Sequence, residues 1–469
     1  MKAIKICILL SSIVYSTFAL SATAHNGKSD NKEQKIEGKN QTGKDKEIEN
    51  FFSEHLSGKT GVFKKNKSLK LSEVEPYRNR VWQLWKEANV GFEEERLITL
   101  KALSANNSGC WTLPEGLEPN AVLPYYWGTK GDDEARNGFP LFLYLHGSGP
   151  KAQEWSTGLK ICQLFADLPS AYFIPQIPNE GKYYRWWQKS KQFAWERLLR
   201  QALLSGKIDP DKMYVFGISE GGYGSQRLAS FYADYWAAAG PMAGGEPLKN
   251  APAENCANMA FTLRTGAKDT GFYRNILSGY VAQAFDSLAR QHPGYFTHQV
   301  DLIPDKGHSI DYRPTTPWLK KFVRNPYPKY VSWENFAMDG RYRDGFYNLY
   351  IKERPNPDEE SRTYYEMNIS GNDISLKVEN VDYKVTEKDP RWGIEMRFAK
   401  KYTPVNKGRL IIYLCDELVN LNEKVTLTVN GKKIFEGKVK ADLKNIVNSC
   451  AAFYDPRRLY PAAIEVALH

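Results

Sequence analysis

The chain has 469 residues, 42% of them hydrophobic and 13% aromatic, enough for a sizeable core and, by length, for two or three domains. Its formal net charge of +10 is mild for that length, and Lys2 and Lys5 fall in a leader expected to be removed. With no basic stripe, zinc-finger spacing or aromatic RNA motif, the charge is compatible with an acidic polymer substrate but carries no nucleic-acid signature.

Taken in order, Lys2 and Lys5 precede an apolar run over 6–20, and Ala22-Thr23-Ala24 offers a small-residue cleavage site. Residues 1–24 therefore read as a secretory signal peptide. The run is too short for a membrane span, and Cys7 lies inside it rather than just after it, against a lipoprotein anchor. The expected product is exported, to the periplasm or the cell surface and beyond, without a membrane span and as a monomer. Removing Cys7 from the six cysteines leaves an odd number, so at least one thiol is free. Cys415 and Cys450 are equally readable as a bridge or as two buried thiols.

Residues 25–50 are almost devoid of apolar side chains and read as a disordered linker. Residues 51–329 read as an α/β domain with an N-terminal helical extension. In it, 76–88 is a helix whose Val81, Leu84, Trp85 and Ala88 share one face. Strands are expected at 95–103, 121–128, 140–145 and 171–174, with a polar hairpin-like loop at 131–138. A helix is expected at 155–165 and another at 193–204. After residue 212 follow strands at 213–216, 236–241, 259–265 and 297–303, with helices at 226–232 and 273–290. Thr316-Pro317 reads as the cap and first residue of a last helix. Strands alternating with helices predict a doubly wound, mostly parallel sheet. Beyond residue 329 the pattern becomes alternating and turn-rich, with strands at 374–378, 394–398, 410–414, 425–429 and 464–468 and a hairpin turn at Asn430-Gly431. Residues 330–469 read as a C-terminal β-rich module, either carbohydrate-binding or simply a packing unit.

The chemistry centres on Gly217-Ile218-Ser219-Glu220-Gly221, which sits between a buried strand and a helix. This is the nucleophile-elbow pattern, in which the turn is too tight for side chains at the flanking positions. Asp269 follows the next-but-one strand and His308 the one after that, giving the order serine, acid, histidine. Serine is a poor nucleophile near neutral pH, so His308 would take its proton and Asp269 would fix the imidazole. The oxyanion donors would be the Glu220 N–H and that of Gly147 or Ser148, in the His146-Gly147-Ser148-Gly149 loop upstream. No HExxH or Cys/His cluster is present, so no metal and no other cofactor is expected.

On these elements the stretch 95–325 resembles the α/β-hydrolase serine esterases. It is similar, more narrowly, to secreted carbohydrate esterases of gut Bacteroidetes, including the pectin methylesterases acting on rhamnogalacturonan II. That resemblance is carried by residues 145–150, Tyr184-Arg185-Trp186-Trp187-Gln188, 217–225 and 240–246. It implies hydrolysis of an ester, methyl foremost, on a plant cell-wall polysaccharide. Arg185 suits a uronate carboxylate. Trp186, Trp187, Trp155 and Glu246 are further candidates for sugar contact, with core packing as the alternative for the tryptophans. Acetyl or feruloyl esterases and a serine peptidase of the same fold remain open alternatives, and a non-catalytic glycan-binding protein is the rival from another class.

Overall fold

Seven consecutive apolar or aromatic residues at 139–145 have no solvent face to offer, and they occupy the middle of a sheet covered on both sides. The computed structural model describes residues 43–59, 61–131, 137–358 and 360–469. The expected signal peptide, the linker up to residue 42 and most of the 131–138 loop lie outside the described residues.

Nine strands build the central sheet: β1 (Lys101–Ala102), β2 (Ser108–Thr112), β3 (Val122–Lys130), β4 (Phe139–Leu145), β5 (Ser170–Pro175), β6 (Ile208–Ile218), β7 (Ala238–Met242), β8 (Ala260–Gly266) and β9 (His298–Ile303). Their order is β1-β3-β5-β4-β6-β7-β8-β9, with β2 on β3. From β5 through β9 every neighbour pair is parallel, while β3 runs antiparallel to β2 and β5. The helices are α1 (Gly43–Leu56), α2 (Leu71–Gly91), α3 (Lys151–Leu164), α4 (Lys189–Leu204), α5 (Glu220–Phe231), α6 (Arg274–Gln291), α7 (Thr315–Leu319) and α8 (Leu443–Phe453).

The period of two along the strands sorts them onto the two faces. Leu141, Leu143 and Val215 pack with Trp195 and Leu198 of α4 and Leu228 of α5. Phe142, Tyr144, Tyr214 and Phe216 pack with Leu159 and Cys162 of α3 and Leu319 of α7. Successive crossovers thus bring the C-terminal ends of β4, β6, β8 and β9 to one edge, where loops are free to carry chemistry.

After α7 the chain forms β10 (Tyr330–Asn335), β11 (Gly345–Phe346), β12 (Leu349–Glu353), β13 (Thr363–Ser370), β14 (Asp373–Lys388), β15 (Glu395–Pro404), β16 (Arg409–Leu414), β17 (Lys424–Val429), β18 (Lys432–Lys438) and β19 (Ala462–Ala467). They make two sheets, β10-β13-β14-β17-β18 with β15 on β14, and β11-β12-β16-β19. These sheets do not stand apart. Phe231 and Trp236 share one apolar cluster with Trp333, Phe336 and Phe346. Beneath it lies a buried ionic network: Arg324 reaches Asp455 at 2.6 Å, Arg458 reaches Asp455 at 2.8 Å and Asp234 at 2.5 Å, and Arg343 also pairs with Asp234.

Four expectations need correction. Residues 43–50, expected in the linker, belong to α1, because Ile48 and Phe52 bury themselves against Trp85 of α2 and Ile446 and Val447 of α8. The strand expected at 95–103 shrinks to β1, which pairs β3 at two positions only, since the Leu97 N–H is taken by the Gln201 side chain at 2.6 Å; β2 takes the rest of that edge of β3. Thr316 does not cap α7 but lies inside it, after Pro314. The C-terminal region also holds a helix, α8, whose apolar face receives α1 and α2. Cys415 and Cys450 are both buried free thiols. Among the described residues no helix is long and apolar enough to cross a membrane.

Candidate active site

Ser219 lies between the end of β6 and the start of α5 with φ 57° and ψ −113°, a conformation that costs a non-glycine residue on the order of 1–3 kcal/mol and persists only where its surroundings impose it. Its N–H donates to the Met242 carbonyl at 2.9 Å, and its own carbonyl accepts from Tyr223 at 3.0 Å. The flanking glycines are required by space. A Cβ on Gly221 would overlap the Leu145 carbonyl oxygen, and one on Gly217 would overlap the Gly221 carbonyl oxygen. β4, β6 and α5 therefore meet backbone to backbone, and the serine hydroxyl is pushed out at the strand ends.

There it meets the imidazole of His308, on the loop after β9. Ser219 Oγ and His308 Nε2 are 2.9 Å apart, and His308 Nδ1 lies 2.7 Å from Asp269 Oδ2, on the loop after β8. Asp269 is 3% exposed, and its other oxygen accepts from Arg274 Nη1 at 2.9 Å. With both oxygens engaged, the carboxylate has one orientation. That fixes the proton on Nδ1 and leaves Nε2 to accept from the serine.

The 146–149 loop after β4 faces the serine. Gly147 is so close that a Cβ on it would lie 3.6 Å from Ser219 Cβ. His146 holds this loop from beneath. It is fully buried, its Nε2 accepts the Ile177 N–H at 3.1 Å, and Nδ1–H then donates to the Gly147 carbonyl at 2.7 Å. Burial pushes the imidazole down to about 4, partly offset by that carbonyl bond, so it is neutral and serves as a strut. Tyr184 Oη also reaches the Gly147 and Gly149 carbonyls at 2.8 and 2.9 Å. A trans peptide points its C=O and N–H in opposite directions, so the Ser148 N–H is turned away from Tyr184, and Ser148 lines the cleft. The same holds for the Gly147 N–H, whose peptide carbonyl, that of His146, is bound by Trp186, so both expected donors on this loop remain candidates. The Glu220 N–H, first in α5 and next to Ser219, has no intrahelical partner.

A cleft of about 500 Å³ opens beside Ser219. Arg185, Trp187 and Glu246 line it, but the structure separates them from the other expected contacts. Trp186 is fully buried: its Nε1–H donates to the His146 carbonyl at 3.0 Å and its ring lies against Gly224. It supports the loop and does not face the cleft. Trp155 stacks on Tyr126 with ring centroids 4.0 Å apart and donates to the Ile174 carbonyl at 2.8 Å, so it packs α3 onto the sheet instead. Glu246 is held by Arg227 at 2.7 and 3.1 Å and by Asn250 at 2.9 Å, and Arg227 in turn stacks 3.8 Å from the Trp187 ring centre. That wall is rigid, and its carboxylate is already satisfied. Arg185 is half exposed, 3.5 Å from Glu220 Oε2. Burial pushes the Glu220 carboxyl up to about 7, with Arg185 opposing and Glu246 adding to the rise.

Several cleft residues were not expected from the sequence. Arg274 and Tyr223 form the floor, and Phe272, Ile394, Glu395 and Phe398 the far wall. Arg274, five positions after the acid, left a local trace; residues 394–398 lie in the C-terminal β region, well beyond His308 in the chain, and left none. Among the described residues no group of three or more His, Cys, Asp or Glu side chains is placed to hold a metal ion.

No family model matches the chain, and no curated protein matches it. Among solved structures it is similar to a thermostable esterase at 18% identity, covering 47% of this chain and 64% of that one with TM-score 0.36. It is also similar to a ferulic acid esterase at 16% identity, covering 46% and 97%, TM-score 0.35. A carboxylesterase from Mesorhizobium loti is similar at 19% identity, covering 46% and 97%, TM-score 0.32.

Proposed function

We propose that this protein is an exported serine esterase that hydrolyses an ester, methyl foremost, on a plant cell-wall polysaccharide such as pectin. One observation carries the esterase part: the Ser219, His308 and Asp269 side chains join in a continuous chain of hydrogen bonds at 2.9 and 2.7 Å, on a strained turn facing a backbone loop. In the forward step Ser219 Oγ attacks the ester carbonyl carbon while its proton passes to His308 Nε2. The carbonyl oxygen, now anionic, takes hydrogen bonds from the Glu220 N–H and from that of Gly147 or Ser148. As the intermediate collapses the C–O bond breaks, and the Nε2 proton goes to the departing alcohol. Water, deprotonated by His308, then releases the acid and returns the hydroxyl to Ser219. Removing one oxyanion donor raises such a barrier by about 3–4 kcal/mol.

The sugar part is supported by a polar cleft. Glu220 Oε1, Tyr223 Oη and Arg274 Nε are buried there without hydrogen-bond partners among the described residues, and such groups suit hydroxyl or carboxylate groups of a ligand. The open cleft also suits a small alcohol such as methanol, which needs almost no pocket of its own. The test is release of methanol, acetate, ferulate or amine from methyl pectin, acetylated xylan, feruloylated arabinan and a peptide. Methanol is expected to dominate, and Ser219→Ala is expected to abolish it while the thermal transition persists. Turnover retained in that variant sinks the mechanism, and acetate or ferulate release in place of methanol moves the reading to those esters. Export is checked by finding the chain outside the cytoplasm of a producing cell.

A further inference from the structure

The far wall of the cleft comes from the C-terminal sheets, at the tip of the long β14–β15 hairpin. Gly393, Ile394, Glu395 and Phe398 line the same space as Ser219. Two links hold the tip there: Tyr273 Oη donates to Asp389 Oδ1 at 2.6 Å, and Lys249 pairs with Glu395 at 3.0 Å. Asp389 also accepts the backbone N–H groups of Arg391, at 3.2 Å, and of Trp392, which closes the turn.

Opposite the tip, Phe272 and Tyr273 are consecutive left-handed residues, φ 52° and 58°. Such positions are strained for non-glycine side chains and cluster at ligand sites. The turn brings Phe272, 45% exposed, against Trp392, 51% exposed, with ring centroids 4.9 Å apart. Arg391 lies 4.8 Å from the Trp392 ring centre. Phe272 lines the cleft and Trp392 precedes the lining residue Gly393, so a pair of large apolar rings is left half in water beside the cleft, as at a ligand surface. The cleft that Phe272 lines also carries the unpartnered polar atoms of Glu220, Tyr223 and Arg274. A ligand that serves both must have flat C–H faces and hydroxyl-bearing edges. A pyranose ring has both, and a simple alkyl or aryl ester lacks the second.

We propose that Phe272 and Trp392 form a stacking platform for a sugar ring next to the one that bears the ester, so that the β14–β15 hairpin favours oligomeric over monomeric substrates. This rests on the ester reading above and names its substrate as a glycan chain. The measurement is the ratio of KM for methyl galacturonate to KM for a methylated oligogalacturonide, in wild type and in Trp392→Ala. The ratio is expected to fall about ten-fold in the variant, the scale of one lost aromatic stack, and to be restored by Trp392→Phe. Tyr273→Phe, which removes one of the two links to the tip but keeps both rings, is expected to lower it by a smaller factor. A ratio within two-fold of wild type in Trp392→Ala overturns the platform. Binding of the oligogalacturonide to Ser219→Ala, with and without Trp392→Ala, separates the two claims. If wild type releases no methanol but Trp392→Ala still weakens binding about ten-fold, the ester reading fails and the platform stands; equal binding by both proteins overturns the platform.

Discussion

At the scale of single residues, the site is held together by groups that never touch substrate. Tyr184 donates toward two carbonyls of the 146–149 loop. Tyr184→Phe is expected to lower kcat about ten-fold with KM within two-fold, because a small misplacement of a donor is felt mainly in the transition state. Steady-state kinetics checks this, and a rise in KM alone contradicts it. Glu220 is the residue-scale source of pH dependence. Its ordinary value is 4.5 and burial pushes it to about 7. Below 4.5 the carboxyl is protonated folded or unfolded and contributes nothing. Between 4.5 and about 7 the unfolded chain gives up its proton first, so the native state loses stability as pH rises, by about 3 kcal/mol in all. Glu220→Gln is expected to be more stable than wild type at pH 8, with the difference closing toward pH 4.5. Thermal melts across that range decide it; a constant difference removes Glu220 as the cause.

At the scale of elements, the elbow is a three-way crossing of β4, β6 and α5 with no room for a methyl group. Gly221→Ala drives its Cβ into the Leu145 carbonyl. It is expected to destabilise the fold by about 3 kcal/mol and to move Ser219 out of reach of His308. A urea midpoint and an activity like those of wild type would show that the crossing gives way more easily than its geometry implies. The 184–187 segment makes a related point. Tyr184 and Trp186 turn inward beneath the oxyanion loop, while Arg185 and Trp187 turn toward the cleft. An aromatic run in a loop looks alike from the sequence whichever way its rings point. The alternation is imposed by the His146 and Gly147 carbonyls, which Trp186 and Tyr184 must reach.

For the whole molecule, the buried arginine–aspartate network ties the α/β sheet to everything after residue 330. Burial alone would raise the Asp455 carboxyl, but Arg324 and Arg458 hold it down to about 2. Its contribution is present in full above its ordinary 3.8 and is lost as pH falls toward 2. Asp455→Asn leaves two buried guanidiniums short of charge and is expected to cost about 3–5 kcal/mol, read as a lower Tm in a single transition. A variant that melts within a degree or two of wild type contradicts the network's role.

What the sequence determined by itself was whatever is local: the bare positions around Ser219, the apolar run of β4, the alternation of strands and helices, and the chain order of nucleophile, acid and histidine. Each follows from a side chain's size or polarity relative to its near neighbours, which is information a short window contains. What the tertiary structure decided was which distant surfaces meet. It sent Trp186 into the core, packed Trp155 onto the sheet, gave Asp269 its partner Arg274, drew residues 43–50 into a helix on α8, and brought the 389–398 hairpin over the cleft. Those outcomes depend on packing between segments separated by tens to hundreds of residues, where pairing is set by the fit of whole faces that no run of neighbouring residues records.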